Sequence, residues 1–202
     1  MEYKKIIKMK KYILIILFAL TLTVAKGQSY TEVYLHYMPA IPFGETADYT
    51  GGISPRGVDF EANRFIGDDM SVGFNIGWTI FREKVSPELI EIDDLDIFGT
   101  QFRYQNMVPM NVTFKKYFLS ATYTPFVGIG VGTEYIQRRN DIGVFSLSDD
   151  KWLFNVAPQV GVLYDFSGSA ALSFKLRYNY SLKAGDFPAA SYLSLGIGIG
   201  LN

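Results

Sequence analysis

The stretch MSVGFNIGWTIFR, residues 70–82, alternates strictly. Met70, Val72, Phe74, Ile76, Trp78 and Ile80 are large and apolar, whereas Ser71, Gly73, Asn75, Gly77 and Thr79 are small or polar. A period of two is a β-strand, because successive Cβ atoms point to opposite faces. The alternation returns near the C-terminus, where Leu193, Leu195, Ile197, Ile199 and Leu201 interleave with Ser194, Gly196, Gly198, Gly200 and Asn202. Strands this long, each with one apolar face, predict a closed barrel standing in a membrane.

Extending the period-two reading in both directions marks eight strands, at about 30–38, 56–66, 70–82, 100–114, 121–137, 151–166, 170–182 and 191–202. The gaps between them are short at 67–69, 115–119 and 167–169, and longer at 39–55, 83–99, 138–150 and 183–190. Tight turns on one rim and longer loops on the other are the pattern of bacterial outer-membrane barrels. The fold class expected is all-β, an eight-stranded antiparallel up-and-down transmembrane β-barrel.

Ahead of the first strand, Lys4, Lys5, Lys8, Lys10 and Lys11 precede an uncharged run at 12–24, and Ala25 and Gly27 follow at the small-residue spacing of a signal-peptidase site. This reads as an export signal at 1–27, because a spanning helix needs about 20 apolar residues. The barrel domain then occupies 28–202. Removing the leader takes six of the 19 basic residues and one of the 20 acidic ones, leaving 13 against 19. That acidic excess argues against nucleic acid as a partner. The absence of cysteine excludes disulfides, thiolate metal sites and a cysteine nucleophile.

The segments GVDFEANRFIGDDMSVGFNIGW, VPMNVTFKKYF, PFVGIGVGTEY and APQVGVLYDFS carry a resemblance. They resemble the small outer-membrane β-barrel domain family, whose members include the OmpA and OmpX type barrels. The resemblance covers nearly the whole chain after the leader and implies a barrel in the outer membrane, among lipid and lipopolysaccharide. It departs at the end, where such barrels commonly finish on an aromatic residue and this chain reads Leu201, Asn202.

Composition decides which face meets lipid. The polar face carries Gly73, Gly77, Gly128, Gly130, Gly132, Gly161, Gly196, Gly198 and Gly200, unfavourable on an exposed strand but suited to a narrow lumen, where glycine leaves room for longer side chains. The apolar face collects rings at its ends. Tyr37, Trp78, Phe102, Tyr104, Tyr135, Trp152, Tyr178, Tyr180 and Tyr192 fall near the loop rim, and Phe114, Tyr117, Phe118, Tyr123, Tyr164 and Phe166 near the turn rim. Two aromatic girdles around an aliphatic band are expected of rings seated at headgroup level. By parity Glu32, Asp59, Glu61 and Glu134 face inward with Arg103, Lys175 and Arg177. Buried charges persist only when paired, so these seven are expected to form a structural ionic network that fills the barrel.

His36, the single histidine, faces inward; a general base there would need a nucleophile and an orienting carboxylate, and the expected role is polar filler. GIGVGT at 128–133 lacks the third glycine and following helix of a dinucleotide loop. The glycosylation triplet at 111–113 lies inside a predicted strand. SPELIEIDDLDIFG, at 86–99, gathers carboxylates without calcium-loop spacing; its interleaved Leu89, Ile90, Ile92, Leu95 and Ile97 fit a packed loop, a strand extension or a partner-binding ridge. No catalytic residue, cofactor or metal is expected. The leading expectation is a monomeric, non-enzymatic protein with an envelope-structural or surface-interaction role, displaying its outer loops to an extracellular protein or surface ligand. A small porin-like channel, a lipid-modifying enzyme built on His36 and a soluble ligand-binding calyx are the alternatives.

Overall fold

The structure is a computed structural model that describes residues 30–92, 95–119, 122–143, 145–166 and 170–201, with 87–92 and 95–99 followed in backbone only. The expected export signal at 1–27 and the expected turn at 167–169 lie outside the described residues. Nine strands and one short helix follow in order: β1 (Thr31–Tyr37), β2 (Ala40–Phe43), α1 (Glu45–Tyr49), β3 (Gly57–Phe65), β4 (Met70–Ile92), β5 (Leu95–Tyr117), β6 (Tyr123–Ile142), β7 (Phe145–Asp165), β8 (Ala170–Ser181) and β9 (Ala190–Leu201). All neighbours are antiparallel in the order β1-β3-β4-β5-β6-β7-β8-β9, and β1 pairs with β9 from Val33↔Leu201 to Tyr37↔Ile197 to close the ring. The barrel therefore has eight staves. The first is broken at Met38 and Pro39, and its upper part, β2, stays on β9 from Ala40↔Ser194 to Phe43↔Ser191.

The wall is turned apolar side out. Val72, Phe74, Trp78, Leu195, Ile197 and Ile199 are exposed, while Ser71, Asn75 and Ser194 on the opposite phase are buried. Gly67 takes φ 76° in the turn before β4, a backbone that glycine adopts without strain. Proline has no N–H to give to a ladder. The pairing of β4 with β5 skips the positions beside Pro109, and that of β7 with β8 skips those beside Pro158.

Three predicted gaps are structured. Residues 39–55 hold β2 and α1 instead of an open loop: Ile41 and Phe43 continue the outward alternation after the break, and Ser191 N donates to Thr46 Oγ1 at 2.9 Å to hold the helix. Residues 83–99 continue β4 and β5 to the pair Ile92↔Leu95, across a register shift between Val85 and Glu88. Residues 138–150 continue β6 and β7 to Ile142↔Phe145. The second turn also begins later than expected, since β5 runs on to Tyr117. Above the lipid-facing wall both faces of a strand meet water, so no alternation marks it, and the neighbouring backbone alone sustains the pairing.

Side chains inside the barrel form three levels. Tyr34, Phe65, Tyr117, Phe126, Leu163 and Ala171 pack together toward the turn rim. Ala40, Phe81, Met107, Ile136, Leu153, Phe187, Ala190 and Tyr192 pack together toward the loop rim. A polar and ionic layer lies between. Two girdle assignments are corrected here: Tyr117 and Tyr192 are buried in the lumen. Tyr192 shares the phase of Ser194 and Gly196, and Tyr117 the phase of Thr113 and Lys115, so their inward direction follows from the alternation itself.

Candidate functional site: the ionic layer and the outer rim

The middle layer is built on β3, β4, β5 and β8. Lys175 Nζ donates to Asp59 Oδ2 at 2.8 Å and to Glu61 Oε2 at 2.7 Å. Arg177 Nη2 donates to Asp59 Oδ1 at 2.9 Å, and Lys115 Nζ donates to Glu61 Oε1. Asn75 Nδ2 and Asn63 Nδ2 donate to Asp59 Oδ1 and Glu61 Oε1 at 2.8 and 2.6 Å. All five charged groups are buried. Charges withdrawn this far from water persist because each carboxylate is shared between cations and amides.

Of the seven residues expected in the network, Asp59, Glu61, Lys175 and Arg177 are brought together. Glu32 and Glu134 are buried but have hydroxyl partners: Tyr34 Oη donates to Glu32 Oε2 at 3.0 Å, Tyr192 Oη donates to Glu134 Oε1 at 2.6 Å, and Ser181 Oγ donates to Glu134 Oε2. Arg103 has the inward phase but stands at the loop rim, its guanidinium 5.7 Å from the Tyr49 ring. Parity fixes the face of a residue and not its height. Lys115 is the member that sequence reasoning missed, because the predicted turn began at its position; the phase of Asn111 and Thr113 is the signal that finds it.

His36 lies beside the layer. Its Nε2 is 3.0 Å from Ser173 Oγ, and its Nδ1 is 3.9 Å from Asp59 Oδ2, beyond hydrogen-bonding range. The order Ser, His, Asp matches a nucleophilic triad in residue type. Its geometry does not, since Asp59 is committed to Lys175 and Arg177 and His36 Nδ1 has no partner among the described residues. The three groups are buried between two apolar layers. His36, Asp59 and Glu61 also offer ligand atoms within 4.8 Å of one another, but the ammonium and guanidinium groups of Lys115, Lys175 and Arg177 already take the place a metal ion would fill.

At the outer mouth, α1 lies against the rim. Arg138 has its guanidinium 4.9 Å from the Tyr49 ring and 5.2 Å from the Phe187 ring. Burial, the largest influence, raises the Tyr49 phenol above its ordinary value, against the lowering pull of Arg138 and Arg103. The β6–β7 hairpin stands beside this cap. β7 pairs with β8 only from Asn155↔Ser181 downward, and Leu182 N bonds Phe154 O at 2.9 Å. From Phe145 to Leu153 its second edge has no strand partner among the described residues. On the other flank the edge of β4 is partly covered, since Ser54 Oγ donates to Ile80 O at 2.6 Å and Gly51 N donates to Glu83 Oε2 at 2.8 Å.

No family model matches the sequence, and no curated protein matches it. Solved structures match the fold. Neisserial surface protein A is similar at a TM-score of 0.56 and 14% identity, over 87% of this chain and 99% of that one. Ail, the attachment invasion locus protein of Yersinia pestis, solved in complex with the heparin analogue sucrose octasulfate, is similar at a TM-score of 0.50 and 13% identity, over 85% of this chain and 97% of that one. At these identities the likeness is one of architecture.

Proposed function

Starting from an OmpA/OmpX-like outer-membrane β-barrel, we propose that this chain is a monomeric, non-enzymatic surface-interaction module that displays a four-stranded sheet outside the cell. Its lipid partners are those of the outer membrane, lipopolysaccharide included. The observation that carries this reading is the extension of β4, β5, β6 and β7 above the loop rim, ending in the open edge of β7 from Phe145 to Leu153. An unpaired edge offers a row of backbone donors and acceptors, and an extended peptide adds to it as a further strand. Phe145 and Leu147, each 52% exposed, lie on one face of that edge with Asp149 and Lys151, so an incoming strand would meet apolar positions first and charges lower down. The filled lumen favours this role over a channel, and the burial of His36 and Ser173 favours it over a lipid-modifying enzyme.

Panning a displayed library of extended peptides against the protein in nanodiscs tests the proposal. Enriched peptides should lose binding when residues 140–147 are replaced by Asn-Gly, a turn that closes the hairpin at Arg139↔Ser148. Enrichment that survives this trimming, or no enrichment at all, would overturn it.

A further inference from the structure

Part of the lumen lining beside the ionic layer is left over once the bonds of that layer are drawn, and surface display makes no use of it. Gln159 on β7, Arg177 on β8 and Ser194 on β9 are direct cross-strand partners. Asn179 stands two residues further along β8, on the same inward phase. None of the four is more than 3% exposed. Arg177 Nη2 is taken by Asp59. Its Nε and Nη1, both amide atoms of Gln159 and of Asn179, and Ser194 Oγ have no hydrogen-bond partner among the described residues. A buried polar group without a partner costs stability, and seven such atoms gather here on three adjacent strands.

The chemistry of the patch identifies what fits it. A guanidinium has donors only, each amide carries an NH2 group and serine an O–H, so all four side chains can donate toward one point, while the acceptors among them are neutral. Charge points the same way. Among the described residues the ammonium groups of Lys115 and Lys175 and the Arg177 guanidinium share two carboxylates, Asp59 and Glu61, which leaves the layer one positive charge in excess. The other inward acids, Glu32 and Glu134, accept from hydroxyls at the levels of Tyr34 and Tyr192. Ala157, level with Asn179 across a rung that the β7–β8 ladder skips, is small and buried, which leaves room beside the guanidinium. Side chains on paired strands start only about 5 Å apart, too close for the body of an organic acid between them, whereas a spherical ion accepts donors from any direction. We propose that Gln159, Arg177, Asn179 and Ser194 hold a single monovalent anion of the halide class, chloride above all, inside the closed lumen. The ion brings the middle layer to neutrality, and because apolar layers lie on both sides it is captured as the barrel closes.

The test refolds the full barrel from urea into detergent at one ionic strength in sodium chloride, sodium bromide or sodium isethionate, whose anion is too large for the patch. At about 100 mM halide the folded-to-unfolded ratio near the midpoint is expected to rise about tenfold over isethionate, the linkage of one site with a Kd of about 10 mM. Gln159→Met with Ser194→Ala removes two donors and should lose most of that gain. Lys116→Gln, at a partly exposed cation of the turn rim, should keep it. Crystals grown from protein refolded in bromide should show an anomalous scatterer against Arg177 Nε. Equal ratios in the three salts, a gain retained by the double variant, or a bromide crystal with no anomalous peak at Arg177 would each overturn the proposal, the last meaning that water fills the patch. If the double variant does not fold, the bromide crystal decides on the unaltered protein.

Discussion

Lys175→Met is expected to destabilise the folded barrel by about 3–5 kcal/mol, the usual loss when one partner of a buried ionic cluster is removed. The ammonium bridges Asp59 and Glu61 with bonds of 2.8 and 2.7 Å, and both carboxylates are buried. Without it each acid keeps one cation, Arg177 for Asp59 and Lys115 for Glu61, and an uncompensated lone pair faces a methionine in a lumen that admits little water. Urea unfolding in detergent or lipid reads the change directly. The exposed pair at the turn rim is the control: Lys116 and Asp69 are ion-paired but 41% and 42% exposed, so Lys116→Met should shift stability by less than about 1 kcal/mol. Equal effects from the two substitutions would show that the middle layer does not hold the barrel together.

The second large effect concerns ring closure. Gly198 and Gly200 on β9 stand opposite His36 and Tyr34 on β1, and the two rings lie over the glycine backbones. A Cβ at Gly198 would lie 2.7 Å from His36 Cγ and 2.7 Å from Leu35 O, and one at Gly200 would run into the Tyr34 ring. Both rings are buried and held, His36 beside Ser173 and Tyr34 by Glu32, so neither has room to withdraw. Overpacking of a filled interior costs about 1–3 kcal/mol per site, and here both sites fall on the seam between the first and last staves. Gly198→Val with Gly200→Val should leave no heat-modifiable folded band, whereas Ile199→Ala between them, 53% exposed on the lipid face, should fold normally. A folded double valine variant would contradict the packing described for this seam.

The alternation at 70–82 and 192–202 made the barrel, its eight staves and its inside-outside sense legible, because lipid on one side and a crowded lumen on the other impose one choice at every second residue. The same logic ended where the lipid ends. Beyond Arg82 and Gln137 the strands continue in water with no required pattern, so their charges read as loops. Inside, parity gave Asp59, Glu61, Lys175 and Arg177 their common face, but Arg103 shares that face at a level where it meets Tyr49. The two apolar layers were hidden in the sequence for a related reason: Phe81 and Ile136 continue the small-polar phase of their strands, and only their heights, brought level by the ladder register, show that they seal the lumen. Ser173 gave no signal, since its relation to His36 joins residues 137 positions apart.

The central claim is a closed lumen, its ionic layer enclosed between the Tyr34–Phe126 side and the Phe81–Tyr192 side. Single-channel recording of the refolded protein in a planar bilayer, with heat-modifiable mobility as proof of folding, addresses it most directly. Folded protein should give no steady conductance. A steady, reproducible conductance from the folded form would mean that water passes both apolar layers and the charges between them, and a porin-like role would replace surface display.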